Sequence, residues 1–314
     1  NKKAVIFGIK GTKLRIREKY LFKRCRPWGI ILFSRNINSI LQLKNLVTEI
    51  RIFFKDDKYP ILIDQEGGKV SRLNNIIDLS IFSQDYFARL YQKDKKSFFS
   101  YYNIHINAIS NILKSVGINI NIVPVLDVRR KVAHKVIGDR SYSKNPVIVV
   151  KLGKLCIGLY NKNKIATVIK HIPGHGLAKC DSHLETPIIK ASKKELVEKD
   201  FRPFRSCKSF FAMTAHAIYT SFDSNNPATH SKIIIKNVIR SHINFKGLLI
   251  SDDISMKALR YGLKNNAIKA LKAGCNLILH CNSNMNELRQ LIKIVPLIDS
   301  FTQKKTSHFS KFIG

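Results

Sequence analysis

The sequence contains no apolar run long enough to cross a bilayer, no CxxC pair and few acidic residues, and each absence removes a class of protein. A membrane-spanning helix needs about 20 consecutive apolar residues, and the apolar stretches here stop well short of that, so membrane insertion is not expected. Lys2 and Lys3 are followed by an apolar run only from Ala4 to Ile9, too short for the core of a secretory signal peptide. The chain opens at Asn1 rather than Met, which leaves a processed leader open. Cys25, Cys156, Cys180, Cys207, Cys275 and Cys281 lie far apart. They read as reduced thiols of a cytoplasmic protein, not as a zinc or disulfide framework. Pro-, Gly- or Ser-rich linkers, composition shifts and fixed-period repeats are also missing.

Acid is the scarce charge: 21 Asp and Glu stand against 55 Lys and Arg, a formal net charge of +34. Such a balance suggests a nucleic-acid or membrane-surface partner. The lysines, however, are spread along the chain, at Lys44, Lys55, Lys58, Lys93, Lys95, Lys96, Lys193 and Lys194 among others, interleaved with Asn and Ile. They form no single arm or stripe, which favours a solvated basic surface over a nucleic-acid face. At 314 residues, 45% hydrophobic and 24% charged, the chain is of ordinary globular composition. Its length suits one α/β barrel with excursions.

Eight short apolar runs recur, each ending abruptly in polar or ionisable residues: AVIFGI (4–9), GIILFSRN (29–36), ILIDQEGG (61–68), INIVPVLDV (120–128), ATVIKHIPGHG (166–176), FFAMTAHAI (210–218), GLLISDDIS (247–255) and CNLILHCN (275–282). Unbroken apolar runs suit strands buried on both faces. Between them lies helical spacing, as in Ile40, Leu41, Leu43, Leu46, Val47 and Ile50, or Ile109, Ile112, Leu113 and Val116. Strand then helix, eight times, predicts a (β/α)8 TIM-type barrel with 1–314 as one domain. In that architecture the polar strand ends, Asp64, Asp127, Lys170 with His171, His216, and Asp252 with Asp253, converge on one mouth. The intervals 74–117 and 129–165 leave room for mouth loops, a last helix fits after Ser283, and the tail from about Thr302 is too polar and basic to assign.

Four segments have the density to carry chemistry. KHIPGHGLAKCDSH, Lys170 to His183, packs three histidines, two glycines and an aspartate into fourteen residues. One reading is a metal site on His171, His175, Asp181 and His183, which the glycine-rich backbone weakens because no helix fixes the spacing. The other is an acid/base dyad in which Asp181 fixes the tautomer of His183 and raises its basicity. In GLLISDDISMKA, Asp253 or Ser255 suits a helix cap, while Asp252 would face the barrel mouth, where a carboxylate can attack an anomeric carbon. In IDQEGGKVSR, Asp64 and Arg72 suit either a ligand site or a structural ion pair. Arg140 in VIGDRSY follows a glycine and would pass as an ordinary loop residue.

Together these segments resemble glycoside hydrolase family 3, specifically its single-domain bacterial β-N-acetylglucosaminidases of cell-wall recycling, and the likeness runs from about Gly8 to Cys281. The signature is KHxPGHG followed by DSH, in order with DQEGG, GDRS and SDDxSM. The resemblance implies a barrel glycosidase in which Asp252 is the nucleophile, His183 the proton donor and Asp181 its support. Asp64, Arg72, Arg140, Lys170 and His171 would bind sugar hydroxyl and acetamido groups. It implies no metal and no cofactor, a carbohydrate substrate drawn from peptidoglycan fragments, and a monomer. Lys69 stands where an arginine is usual, and Asn276 where an aspartate is frequent, the latter expected to affect only packing. Rival readings are phosphorolysis on the same site, substrate assistance by the acetamido oxygen, a metal-dependent hydrolase and a nucleic-acid-binding protein on an inactive barrel.

Overall fold

Apolar on both faces, the eight runs bury themselves by closing on one another. In the computed structural model, which describes residues 2–130, 137–182 and 184–314, they form β1 (Lys3–Gly8), β2 (Pro27–Leu32), β3 (Ile61–Ile63), β4 (Ile120–Asn121), β5 (Ala166–Ile172), β6 (Phe211–Thr214), β7 (Leu248–Asp253) and β8 (Leu277–His280). Each strand pairs in parallel with the next, and β1 closes on β8 through pairs such as Val5 with Ile278. Every residue of β2 and β5 is buried, the result of side chains pointing alternately into the barrel and under the helices. The strands are shorter than the runs that announced them. In ILIDQEGG the chain turns out of the sheet at Gly67 and Gly68, both at positive φ (87° and 59°). In INIVPVLDV Pro124 has no N–H to give to a ladder.

The helical coat comprises α1 (Ile16–Arg24), α2 (Ile40–Phe54), α3 (Gln84–Lys93), α4 (Lys95–Val116), α5 (Pro146–Lys162), a helical run over 193–206 (α6), α7 (Ile234–His242), α8 (Gly262–Ala273), α9 (Met285–Ile294) and α10 (Ser300–Phe312). Local sequence sets their ends. Ser39 accepts the Gln42 N–H to start α2, and Asp94 accepts the Ser97 N–H to start α4. The α2 stripe facing the barrel is Leu43, Leu46, Val47, Ile50 and Phe54. Ile40 and Leu41, part of the expected stripe, lie in the first turn and point outward.

Between the strands, 74–117 holds α3 and α4, the latter carrying the helical spacing of Ile109, Ile112, Leu113 and Val116, and α5 fills the second half of 129–165. Asp253 caps no helix: its carboxylate accepts the Ser255 N–H in a local turn, and α8 begins only at Gly262. The tail is helical, because α10 needs few apolar residues to dock. Phe309 packs against Trp28 and Phe211, at the starts of β2 and β6, and Trp28 Nε1 donates to Thr306 Oγ1 at 2.8 Å. This helix therefore covers the barrel end away from the strand C-termini. Among the described residues no helix is long and apolar enough to cross a membrane, and all six cysteines are free.

Phe309 is fully buried, so Phe309→Ala is expected to cost about 3–5 kcal/mol, measured as a lowered urea-unfolding midpoint. Phe309→Leu, which keeps most of the volume, should lose far less.

Candidate active site

At the C-terminal ends of the strands a cavity of about 210 Å³ is lined by Asp64, Arg72, Arg140, Lys170, His171 and Asp252. These are the sequence-nominated residues apart from Asp181 and His183. Asp181 is half-buried and its neighbour Ser182 lines the cavity. His183 lies outside the described residues. The loop carrying Asp181 is fastened to the segment after β7: the Ala258 N–H donates to Ser182 O (3.2 Å) and Thr186 Oγ1 to Ala258 O (2.6 Å).

One wall of the cavity is a line of alternating charges. Arg72 Nη2 reaches Asp64 Oδ2 at 3.2 Å, Lys170 Nζ stands 2.5 Å from both Asp64 Oδ1 and Glu66 Oε1, and Arg140 grips Glu66 with Nε (2.9 Å) and Nη2 (2.8 Å). Such an arrangement follows from position: Asp64 and Glu66 leave the end of β3, Lys170 rises from β5, and the two arginines come from loops. Lys170 and the Glu66 carboxylate are almost fully buried, whereas Asp64 and Arg72 are open to the cavity. Burial alone would raise the Glu66 carboxyl, but Arg140 and Lys170 outweigh it and hold the acid far below the usual carboxylate range. Burial opposes the Arg140 charge, and Glu66 more than restores it. Lys170 is thus fixed between two carboxylates with little freedom to wander.

A second carboxylate, Asp127, organises the KHIPGH loop. It is fully buried and accepts the His171 N–H (3.2 Å), the His175 N–H (2.6 Å) and His171 Nδ1 (2.7 Å). Burial works against its charge, yet His171 and these N–H donors keep it ionised below the ordinary range. With Asp127 anionic, His171 donates through Nδ1 and leaves Nε2 for a ligand. His175 stacks obliquely on His171, ring centroids 5.6 Å apart, and burial drives it down to about 4, a neutral ring at physiological pH. Gly176 is required here by close approach: a Cβ would lie 1.9 Å from Val128 O.

Asp252 is the penultimate residue of β7, half-buried, with Oδ1 accepting the Asp253 N–H at 2.8 Å. Burial would raise its carboxyl, but His216, His171, the Asp253 N–H and Lys170 together bring it below the usual range. Burial lowers the pKa of the His216 ring, and the nearby Asp252 and Asp253 work against that shift. Its Nε2 lies 3.0 Å from Asp253 O and its Nδ1 2.7 Å from Thr229 Oγ1, so the ring, held on both sides, ties the backbone beside Asp252 to Thr229. An ionised, partly exposed carboxylate facing one sugar-sized space can act as a nucleophile.

Glu66 was missed in the sequence because it sits against the paired glycines and reads as turn material. Asp127 and His216 were visible as strand ends, but their partners lie 44 and 13 residues away. Among the described residues no three His, Cys, Asp or Glu side chains are grouped to hold a metal, and His171 Nδ1 is already taken by Asp127. Lys69 is exposed, 3.6 Å from Asp139. Asn276 does more than pack: its Oδ1 accepts from the Leu249 N–H (2.9 Å) and Arg240 Nη2 (2.7 Å), setting the start of β7.

Glu66→Gln leaves Lys170 and Arg140 short of a buried counter-charge and should cost about 3–5 kcal/mol at pH 7. Because the folded-state pKa is depressed, the stabilisation is complete above the ordinary glutamate value of 4.5 and is lost as pH falls below it. Unfolding midpoints of wild type and variant should therefore converge in acid; parallel curves would contradict this assignment.

Residues 11–306 match the glycosyl hydrolase family 3 N-terminal domain. A β-hexosaminidase of Haemophilus influenzae is 33% identical over 298 residues, 92% of this chain and 82% of that protein. A β-hexosaminidase of Actinobacillus pleuropneumoniae is 34% identical over 88% of this chain and 81% of that one. NagZ from Neisseria gonorrhoeae, solved in complex with N-trifluoroacetyl-D-glucosamine, superposes with a TM-score of 0.88 at 30% identity, covering 98% of this chain and 90% of that one. The strand-end cavity, the eight-stranded closed barrel and these likenesses agree, and the chain belongs to glycosyl hydrolase family 3.

Proposed function

We propose that this protein is an exo-acting β-N-acetylglucosaminidase that removes a terminal N-acetylglucosamine by retaining double displacement. The observation that carries the reading is Asp252: an ionised carboxylate at a strand end, facing a cavity of about 210 Å³. That is below the roughly 300–1,000 Å³ of pockets that enclose drug-sized ligands, and it suits a single sugar residue. The relatives named β-hexosaminidase, and the N-acylglucosamine bound by the gonococcal neighbour, support the same sugar.

Asp252 attacks the anomeric carbon as the glycosidic bond breaks. The bonding pair leaves with the glycosidic oxygen, which takes a proton from His183. Water then attacks the glycosyl-aspartate from the opposite face, gives its proton to His183 and restores the original configuration. Asp181 supports His183. Its place in a loop tied to the segment following Asp252 favours a proton donor that reaches this cavity. Lys170, Arg72 and Arg140 offer donors only and Asp64 an acceptor only, a set matched to sugar hydroxyls. His171 Nε2 serves a hydroxyl or the acetamido group. The substrate we favour is N-acetylglucosamine linked to an anhydro-muramyl unit, with or without peptide, cleaved by a cytoplasmic monomer.

The test is hydrolysis of an aryl N-acetylglucosaminide. Asp252→Ala is expected to lose about 10⁴-fold or more, and His183→Ala about 10²–10⁴-fold, the latter partly relieved by a better leaving group. Full activity of Asp252→Ala would overturn the reading. Running the assay with and without phosphate distinguishes hydrolysis from phosphorolysis by product.

A further inference from the structure

The segment that follows β7, from Ile254 to Tyr261, lies outside every helix and strand, so its backbone groups need partners from elsewhere. One buried side chain supplies several. Asn266, in the second turn of α8, donates through Nδ2 to Ile254 O (3.1 Å) and Leu259 O (3.2 Å), and its Oδ1 accepts the Tyr261 N–H (3.2 Å). Both ends of the segment are thereby pinned to α8. Its start is also held by β8, where Leu279 O accepts the Ile254 N–H (3.0 Å). Between the pins, Met256 lines the catalytic cavity and Ala258 is buried.

Ala258 is where this segment meets the loop after β5. Its N–H donates to Ser182 O (3.2 Å), and its carbonyl accepts the buried Thr186 hydroxyl (2.6 Å). The two contacts fall on either side of position 183. Asp181 O accepts the Leu184 and Glu185 N–H groups (2.9 and 3.1 Å), which closes a turn, and just beyond Thr186 the chain enters a small sheet in which Ile188 pairs with Ile218. Asp127, at the end of the run that begins with β4, fixes the base of the loop. The Ala258 pair refers its outer part to β7 instead, the strand that carries Asp252. Retaining cleavage needs nucleophile and proton donor at a set spacing across one glycosidic bond, and a misplacement of about 1 Å can cost roughly 10²-fold.

We propose that Thr186 is a positioning residue for the acid/base step: its bond to Ala258 O sets the stretch 181–185 at a fixed distance from Asp252. The inference rests on the reading of Asp252 as nucleophile and His183 as proton donor, and deepens it. A hydroxyl that served stability alone would lower every activity by the same factor. One that places the donor lowers the step that needs a proton and spares the step that does not.

The test uses the full chain and aryl β-N-acetylglucosaminides whose leaving groups run from phenol through 4-nitrophenol to 2,4-dinitrophenol, which need progressively less protonation. Thr186→Val should lower kcat/KM about 10–100-fold on the phenyl substrate and no more than about threefold on the dinitrophenyl one. Thr186→Ser, which restores the hydroxyl, should return the wild-type dependence on leaving group. In a His183→Ala background, Thr186→Val should cost little further, because the donor it places is gone. Uniform loss across the series, the signature of a folding defect, would overturn the proposal. So would a loss in the His183→Ala background equal to that in wild type. A leaving-group dependence that His183→Ala itself leaves unchanged would instead strike the donor reading on which the inference rests.

Discussion

Lys170 stands between two carboxylates, and the mouth of the barrel is arranged around that position. Its ammonium would be costly to bury alone. Asp64 and Glu66, both carried by the end of β3, make the burial tenable, and Arg140 balances Glu66 in turn. The cost and its compensation come from different elements, so the side chains take their places only when β3, β5 and the loop ending in Arg140 are assembled together. Removing one member leaves an opposite charge stranded in a dry place, which is why the line is rigid. That rigidity is what sugar recognition needs, because hydroxyl groups differ by position more than by chemistry.

The same logic governs the other half of the site. Asp127 is a buried anion whose donors are the backbone and ring of the KHIPGH loop, so the loop takes its shape from the carboxylate it covers. Asp252 is less buried and less surrounded, and among the described residues it holds one N–H bond and no salt bridge. Three acids in one barrel mouth thus differ in availability. Both oxygens of Glu66 and of Asp127 are engaged, whereas Asp252 Oδ1 accepts the Asp253 N–H and Asp252 lines the cavity. Sequence cannot rank them, since each is simply an acid after an apolar run.

What was legible followed from burial. Strands covered on both faces must be apolar throughout, so GIILF, ATVI and GLLI announce themselves, and closure into a barrel follows from their alternation with helical stripes. Strand ends were less legible, because turn chemistry at Gly67, Gly68 and Pro124 cuts pairing within runs that look uniform. The last helix was hidden by its own economy: Thr302 and Phe309 are its buried residues, and a polar, basic surface surrounds them. Of the site, Asp64, Arg72, Arg140, Lys170, His171 and Asp252 were reached through motif resemblance and meet at one cavity. Glu66 was not, since its meaning lies in Arg140 and Lys170, 74 and 104 residues downstream.

The central claim is that the carboxylate of Asp252 becomes covalently bonded to the sugar. Incubation with a 2-fluoro glycoside carrying a good leaving group, followed by proteolysis and mass spectrometry, reads that bond directly. The account predicts one equivalent of sugar on the peptide containing Asp252. Label on another residue, or steady turnover of substrate by an enzyme that never acquires label, would contradict it.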